Sequence, residues 1–299
     1  MPASSTASNS SPEPAASDRI VCVVRGAQDT ADAVALAAFA GSLADGLGLP
    51  LALVELAEPI PPIAPMPPAG FPVDPAHPVH PVPEAAGPPE PRADLDAIAE
   101  DAGVDPLESH VETGPIATAL AGLVAEASTT LVVVGDEGSG ALWSLVTGAP
   151  ARRVLRDLPA PLLLVPRAAG GGHDGPWRIA AGILDPDHEA TVLPLACDLA
   201  QRLDGDDLQL FVGEPQRGAL SERARALLTA GVGLQVRAVG EDPAEALGGV
   251  LARGEADLLV LAPPERGLLG SALRGSIFHT VAAGGHGPIL VAPEPAHPD

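Results

Sequence analysis

The apolar residues of this chain fall into short continuous runs, which alternate with longer segments where alanine and leucine recur at helical spacing. Runs such as LVVV and LLLV are typical of strands whose two faces are both covered, as in a parallel sheet. The helical spacing is clearest at 29–46, where Ala31, Val34, Ala35 and Ala38 share one face. The alternation predicts an α/β fold with helices on both faces of a sheet.

Five strands with four intervening helices are predicted in the first half of the chain. Strands are expected at 19–24, 51–56, 107–112, 130–134 and 161–165, and helices at 29–46, 93–101, 115–127 and 139–157. Pro115 and Pro243 stand at predicted helix starts, where a missing N–H costs little.

The second half of the chain repeats the first. The matches are Arg19 with Arg178, Pro59 with Pro215, Ala102 with Ala230 and Gly148 with Gly275, which lie 159, 156, 128 and 127 residues apart. The separation falls by 28 residues between Pro59 and Ala102. The first copy therefore carries one insertion that the second copy lacks.

Composition marks the boundaries of the two copies. Fourteen prolines at 59–91 predict an extended polyproline-like or disordered insertion. AAGGGHDGP at 168–176 is expected to be a flexible linker, and 1–18 a disordered tail with neither the basic start nor the apolar run of a secretory signal. The expected domains are 19–167, which contains the insertion, and 177–295.

The insertion follows the second predicted strand, so it leaves the sheet at the carboxyl edge, where ligands collect in parallel sheets. Its stiffness suits a lid over a ligand site or a docking strip for a protein partner. A disordered excursion without a role is an equally weighted alternative.

Charge and composition exclude several classes of partner. The net charge is −23, all sixteen basic residues are Arg, and both halves are acidic, so nucleic acid and anionic membranes are poor partners. Cys22 and Cys197 do not make a disulfide framework, and no stretch reaches the 18 apolar residues of a membrane span. A soluble, cytoplasmic protein is expected.

The most informative motif is LVVVGDEGSGALWSLVTGAP at 131–150. A strand–glycine–helix turn presents backbone N–H groups and the positive end of a helix dipole, which together bind phosphate without a cationic side chain. The candidate nucleotide-binding residues are Gly135, Gly138, Ser139, Gly140, Gly148 and Ala149. A tight turn that merely requires glycine is the alternative reading of the same residues.

The spacing Gly135-x2-Gly138-x9-Gly148, followed by ARRVLRDLPAPLLLVP, resembles the G-x2-G-x9-G-[S/T] signature of the universal stress protein family. EDPAEAL at 241–247 and LRGSIFHTVAAGGHGPILVAP at 273–293 extend the resemblance to the second copy. The resemblance implies a tandem member with two Rossmann-like, doubly wound domains, each with a five-stranded parallel sheet. It also implies a role in stress survival and, in some members, binding of ATP or AMP.

The resemblance further implies that the two copies form an intramolecular pseudo-dimer, because the last strand of the family's domain is an edge that pairs across a two-fold axis. The final strands here are PLLLVP at 161–166 and PILVAP at 288–293. Left unpaired, such apolar edges invite aggregation. A homodimer of the tandem chain is left open.

The first copy departs from the family's nucleotide site at two places. Ala149 replaces the Ser or Thr hydroxyl expected to bond phosphate, and Arg25 replaces the acidic residue that ends the first strand. Asp136 and Glu137 in the loop would each cost about 1 kcal/mol beside a triphosphate if exposed, unless they point outward.

The second copy retains other parts of the site. Its acidic strand end is Asp185, and the last glycine with its hydroxyl survives as Gly275 and Ser276. The segment 262–265, however, is Ala-Pro-Pro-Glu, which removes two glycines and two N–H donors and adds a carboxylate. This degenerate second site is not expected to bind ATP in the family manner.

No catalytic motif is recognised. A P-loop needs a Lys, which the chain lacks, and Ser139 is not in a G-x-S-x-G motif. His77 and His80 lie in the proline run without a nearby Cys or a further His, so metal binding is not expected there. The expected function is that of a non-enzymatic stress-response protein with residual ATP or AMP binding in the first copy and no metal. The alternative is a structural pair of domains that acts through protein contacts, and a weak ATPase is a third reading.

Overall fold

The computed structural model describes residues 18–25, 29–57, 94–113, 116–126, 129–136, 158–229, 231–240, 242–263 and 274–294. Residues 1–17, the whole of the proline-rich insertion and the predicted helix at 139–157 lie outside these ranges. The predictions made for those segments are therefore not addressed by the structure.

Ten strands and seven α-helices occur within the described ranges. The strands are β1 (Arg19–Arg25), β2 (Leu51–Ala57), β3 (Glu108–Thr113), β4 (Thr129–Asp136), β5 (Leu162–Pro166), β6 (Arg178–Ile183), β7 (Asp207–Val212), β8 (Gly233–Ala238), β9 (Leu258–Leu261) and β10 (Ile289–Val291). The helices are α1 (Thr30–Leu47), α2 (Leu95–Ala102), α3 (Ile116–Glu126), α4 (Glu189–Arg202), α5 (Arg217–Leu227), α6 (Pro243–Ala252) and α7 (Arg274–Ala283). We call β1–β5 with their helices the first unit and β6–β10 with theirs the second unit.

All ten strands form one sheet, in the order β3-β2-β1-β4-β5-β10-β9-β6-β7-β8. Within each unit every pairing is parallel, and the two units meet through the antiparallel pair β5–β10. This confirms the predicted pair of doubly wound, five-stranded parallel sheets joined as an intramolecular pseudo-dimer. The apolar edges of β5 and β10, which would favour aggregation if they were exposed, therefore cover each other.

Helices cover both faces of the sheet, as the strand pattern predicts. Alternate residues of β1 divide between the two layers: Ile20, Cys22 and Val24 face α1, α2, α4 and α5, while Val21 and Val23 face α3, α6 and α7. Each layer runs without a break through both units, so the sheet junction is also a junction of hydrophobic cores.

Helix α1 is the longest of the described helices, and residues next to it in sequence cap both of its ends. The Ala31 N–H donates to the carboxylate of Asp29 (3.0 Å), and Gly48 ends the helix in the left-handed conformation. By length and composition alone α1 is the one described helix that could cross a membrane, and half of it is buried inside the fold. A core helix of a globular protein has the same properties.

The linker between the units is fixed against α1 rather than free. The Gly171 N–H donates to the Ala35 carbonyl (2.8 Å), and the His173 N–H donates to the Ser42 hydroxyl (3.1 Å). The His173 ring lies 4.0 Å from the ring of buried Trp177. Two backbone N–H groups of the glycine-rich linker thus bond to the first unit.

Candidate functional site

The candidate site of the first unit is the crevice between the carboxyl ends of β1 and β4. β1 lies between β2 and β4, and the chain leaves β1 through α1 on one face but reaches β4 through α3 on the other. Such a reversal of winding opens a crevice beyond the strand ends, where ligands bind in open α/β sheets. The predicted glycine motif therefore starts at the edge that the fold leaves open.

The first predicted glycine belongs to the strand rather than to the loop. β4 continues to Asp136, two residues beyond the predicted end, and Gly135 is buried in register with Val165 of β5. At the facing strand, β1 ends at half-buried Arg25. The described part of the crevice consequently has a guanidinium at the position where the family resemblance implies a carboxylate. Gly138, Ser139, Gly140, Gly148 and Ala149 lie outside the described residues.

The second unit repeats the crevice between β6 and β9. Asp185 follows β6 and accepts a hydrogen bond from the Asp187 N–H (3.0 Å), which closes the short turn at Pro186–His188. Beyond β9, Ala262 is half-buried and Pro263 is buried. The retained acidic residue thus has a structural task in its own turn, in addition to any role toward a ligand.

Gly275 and Ser276 lie in the first turn of α7, which begins at Arg274. The first N–H groups of a helix have no partner within the helix, and the positive end of the helix dipole lies at the same turn. Gly275 and Ser276, which the sequence predicts as remnants of a phosphate site, therefore lie at the start of a helix.

Glu55 of β2 is a residue that the sequence reasoning missed. Its side chain is fully buried, opposite Val24 of β1 and on the same face as Leu53, toward α1. Burying a carboxylate costs several kcal/mol unless its surroundings compensate. The signal was present: Glu55 is a single charged residue within the apolar strand LALVELA. Glu55 thus places an acidic group on the strand next to β1, which ends at Arg25.

Neither cysteine supplies a nucleophile. Burial in the strand raises the pKa of the Cys22 thiol to about 12, and burial in α4 raises the pKa of the Cys197 thiol to about 11. Both thiols are therefore protonated at neutral pH and unreactive. Within the ranges that the structure describes, no group of three His, Cys, Asp or Glu side chains could hold a metal ion; His77 and His80 lie outside them.

Comparison with known protein families identifies the family of this chain. The family model for the universal stress protein family matches residues 17–166, which span the first unit, the insertion and the glycine motif. This chain belongs to the universal stress protein family. The membership agrees with the crevice at β1 and β4 and with the final strand β5 pairing across the junction. No curated protein matches the chain.

Solved structures match the tandem fold as a whole. A universal stress protein from Archaeoglobus fulgidus DSM 4304 has a TM-score of 0.55 at 13% identity, with 92% of this chain and 97% of that chain covered. A functionally unknown protein from Pseudomonas aeruginosa PAO1 has a TM-score of 0.50 at 17% identity, with 92% of each chain covered. The cytoplasmic domain of a prokaryotic cation chloride cotransporter has a TM-score of 0.50 at 13% identity, with 93% and 95% covered. At these identities the likeness concerns the fold alone.

Proposed function

We propose that this universal stress protein is a non-enzymatic, cytoplasmic stress-response protein whose first unit keeps a residual capacity to bind ATP or AMP. The observation that carries the proposal is the crevice between the carboxyl ends of β1 and β4, because buried Gly135, the first glycine of the motif, lies near the carboxyl end of β4. Backbone N–H groups after a strand of this kind bind phosphate, and glycine lets the ligand approach closely.

Two features argue for weak binding. Arg25 stands at the strand end where the family resemblance implies an acidic partner for the nucleoside. Ala149 lacks the hydroxyl expected to bond phosphate. Loss of a hydrogen bond to a charged group is worth about 1.5–3 kcal/mol, or roughly one to two orders of magnitude in affinity.

The second unit supports a single site per chain. Its segment after β9 begins Ala262-Pro263, and buried Pro263 has no N–H to offer a phosphate. The helix start at Gly275 and Ser276 survives, but the strand–loop half of the site does not. One equivalent of nucleotide per chain is the expected stoichiometry.

The experiment is calorimetry with ATP and AMP on freshly purified protein, preceded by mass spectrometry of any ligand released on denaturation. Ala149→Ser should tighten binding, and Gly138→Asp should abolish it by placing a carboxylate among the phosphate donors. Gly240→Asp is the matched control, because it adds the same charge at an exposed glycine of the second unit with open space around it. Two equal tight sites, or binding that survives Gly138→Asp, would refute the proposal.

The second candidate function is that of a pair of domains acting through protein contacts alone. The observation that favours it is the continuous ten-stranded sheet with a shared core, which joins both units even though each copy has lost part of the ligand site in sequence. This alternative is selected if the folded protein releases no nucleotide on denaturation and shows no nucleotide binding in calorimetry.

A further inference from the structure

An open groove of about 400 Å³ lies between α5 and β8, which is two strands away from β6 in the sheet. It is lined by Arg217, Gly218, Ser221, Arg225, Leu234 and Val236. Neither the glycine motif nor the family resemblance assigns any role to these residues.

One wall of the groove is a ridge on α5. Arg217, Ser221 and Arg225 are spaced four residues apart and therefore lie in a row along one side of the helix. Leu220 and Ala224, beside them, are buried and hold α5 against the core. The row is thus fixed in position, with its two guanidinium groups at the outer margin of the sheet.

The floor of the groove is apolar and belongs to β8. Leu234 and Val236 are half-buried side chains on the same face, and both pack against the core below α5. β8 pairs with β7 on one side and is the last strand of the sheet among the described residues. Among the described residues, no strand lies on the side of the groove away from β7, so the outer backbone N–H and C=O groups of β8 have no strand partner there.

The charge of the ridge is unusual for this protein. The chain carries −23 overall, yet Arg217 and Arg225 have no carboxylate partner within the described part of the chain. On the same helix, Arg223 forms an ion pair with Glu189. Two unpaired cations above an apolar floor are suited to an anionic ligand that also has apolar surface.

The spacing of the two arginines selects an extended ligand. Eight residues of helix separate them by about 12 Å along the axis. In a β-strand, residues four apart are on the same face and about 13 Å apart. Two carboxylates four residues apart on a strand added beside β8 would therefore each reach one arginine.

We propose that this groove binds an extended acidic peptide of a partner protein, which pairs with β8 as an additional strand. Its two acidic side chains meet Arg217 and Arg225, and the residue midway between them covers Leu234 and Val236 beneath Ser221. Main-chain hydrogen bonds to β8 supply affinity, and the two ion pairs with the apolar contact supply specificity.

The test measures binding of a fluorescently labelled peptide of alternating Thr and Val, with two glutamates four positions apart, to the full chain by fluorescence anisotropy. The variant Arg217→Gln with Arg225→Gln should weaken binding about tenfold or more, since each removes a charge-assisted contact. Arg223→Gln is the matched control, because it removes one positive charge from the same helix. It should change the affinity by less than about twofold. A peptide with glutamine in place of both glutamates should bind as weakly as the double variant does.

Hydrogen exchange distinguishes strand addition from simple ion binding. The bound peptide should slow exchange of β8 amides, and a peptide methylated at its backbone nitrogens should not bind. Equal affinity for wild type and the double variant, or unchanged exchange in β8, would overturn the proposal. Displacement of the peptide by millimolar inorganic phosphate, together with binding of the methylated peptide, would also overturn it and leave a site for small anions only.

Discussion

Leu163 of β5 and Leu290 of β10 face each other across the antiparallel pair that joins the two units. The two side chains are 0% and 1% exposed and belong to the hydrophobic layer shared by both units. Directly opposed side chains on neighbouring strands are the unit of sheet stabilisation. This pair therefore couples the folding of one copy to that of the other.

Leu163→Ala should lower the free energy of unfolding by about 2–5 kcal/mol, because it removes buried apolar contacts and leaves a cavity at the junction. Leu107→Ala is the matched control, since Leu107 is 62% exposed and should change stability by less than about 0.5 kcal/mol. Urea denaturation followed by circular dichroism measures both. An equal effect of the two substitutions would show that the junction contributes nothing to stability.

The docked linker makes a second prediction. Gly171 has a φ of +129°, a backbone conformation that residues with a side chain rarely adopt. Its N–H donates a hydrogen bond to α1. Gly171→Ala should therefore destabilise the protein by about 1 kcal/mol or more. Gly172→Ala should cost much less, because an added Cβ would lie 3.6 Å from the Ser42 hydroxyl, which is an ordinary contact. If thermal unfolding ranks the two variants equally, the linker is not held as the structure indicates.

The alkaline limit of stability should depend on the two cysteines. The chain has no Lys and no Tyr, so these thiols are its main side-chain groups that titrate just above pH 9. Their folded pKa values, about 12 for Cys22 and about 11 for Cys197, are raised above the ordinary 9.0 by burial. Above pH 9 the unfolded chain loses these protons while the folded protein keeps them, so stability falls as pH rises through that window.

The expected slope is about 1.4 kcal/mol per pH unit for each thiol between pH 9 and its folded pKa. Denaturant midpoints at a series of pH values measure it. Cys22→Ala with Cys197→Ala should be less stable at neutral pH but should lose stability less steeply above pH 9. A slope unchanged in the double variant would contradict the assignment.

Removal of residues 60–90 should leave the fold intact. In the second unit the equivalent connection from β7 to α5 needs only residues 213–216, whereas in the first unit β2 ends at Ala57 and α2 begins at Leu95. Circular dichroism and the urea midpoint should match those of the full chain. An unfolded deletion variant would mean that the insertion is structural and that the repeats are wrongly aligned. If the variant folds and its nucleotide or partner binding is unchanged, the insertion is neither a lid nor a docking strip.

The sequence by itself determined the elements, the repeat and the family. In the first unit, the described strands and helices lie within about two residues of their predicted positions, because runs such as LVVV and the alanine spacing of α1 are local patterns that burial on both faces enforces. The pairing of the final strands followed from the family resemblance and the apolar character of 161–166 and 288–293.

Only the tertiary structure decided which residues share an environment. It placed Glu55 in the core beside β1, extended β4 through Gly135, and bound the glycine-rich linker to α1. It likewise placed the groove lined by Arg217 and Arg225 beside β8, which is the last strand of the sheet among the described residues. Local patterns register burial and periodicity along the chain, whereas strand order, edges and the contacts of a linker are set by segments far apart in sequence. Those features therefore leave no signal in the periodicity of any one segment.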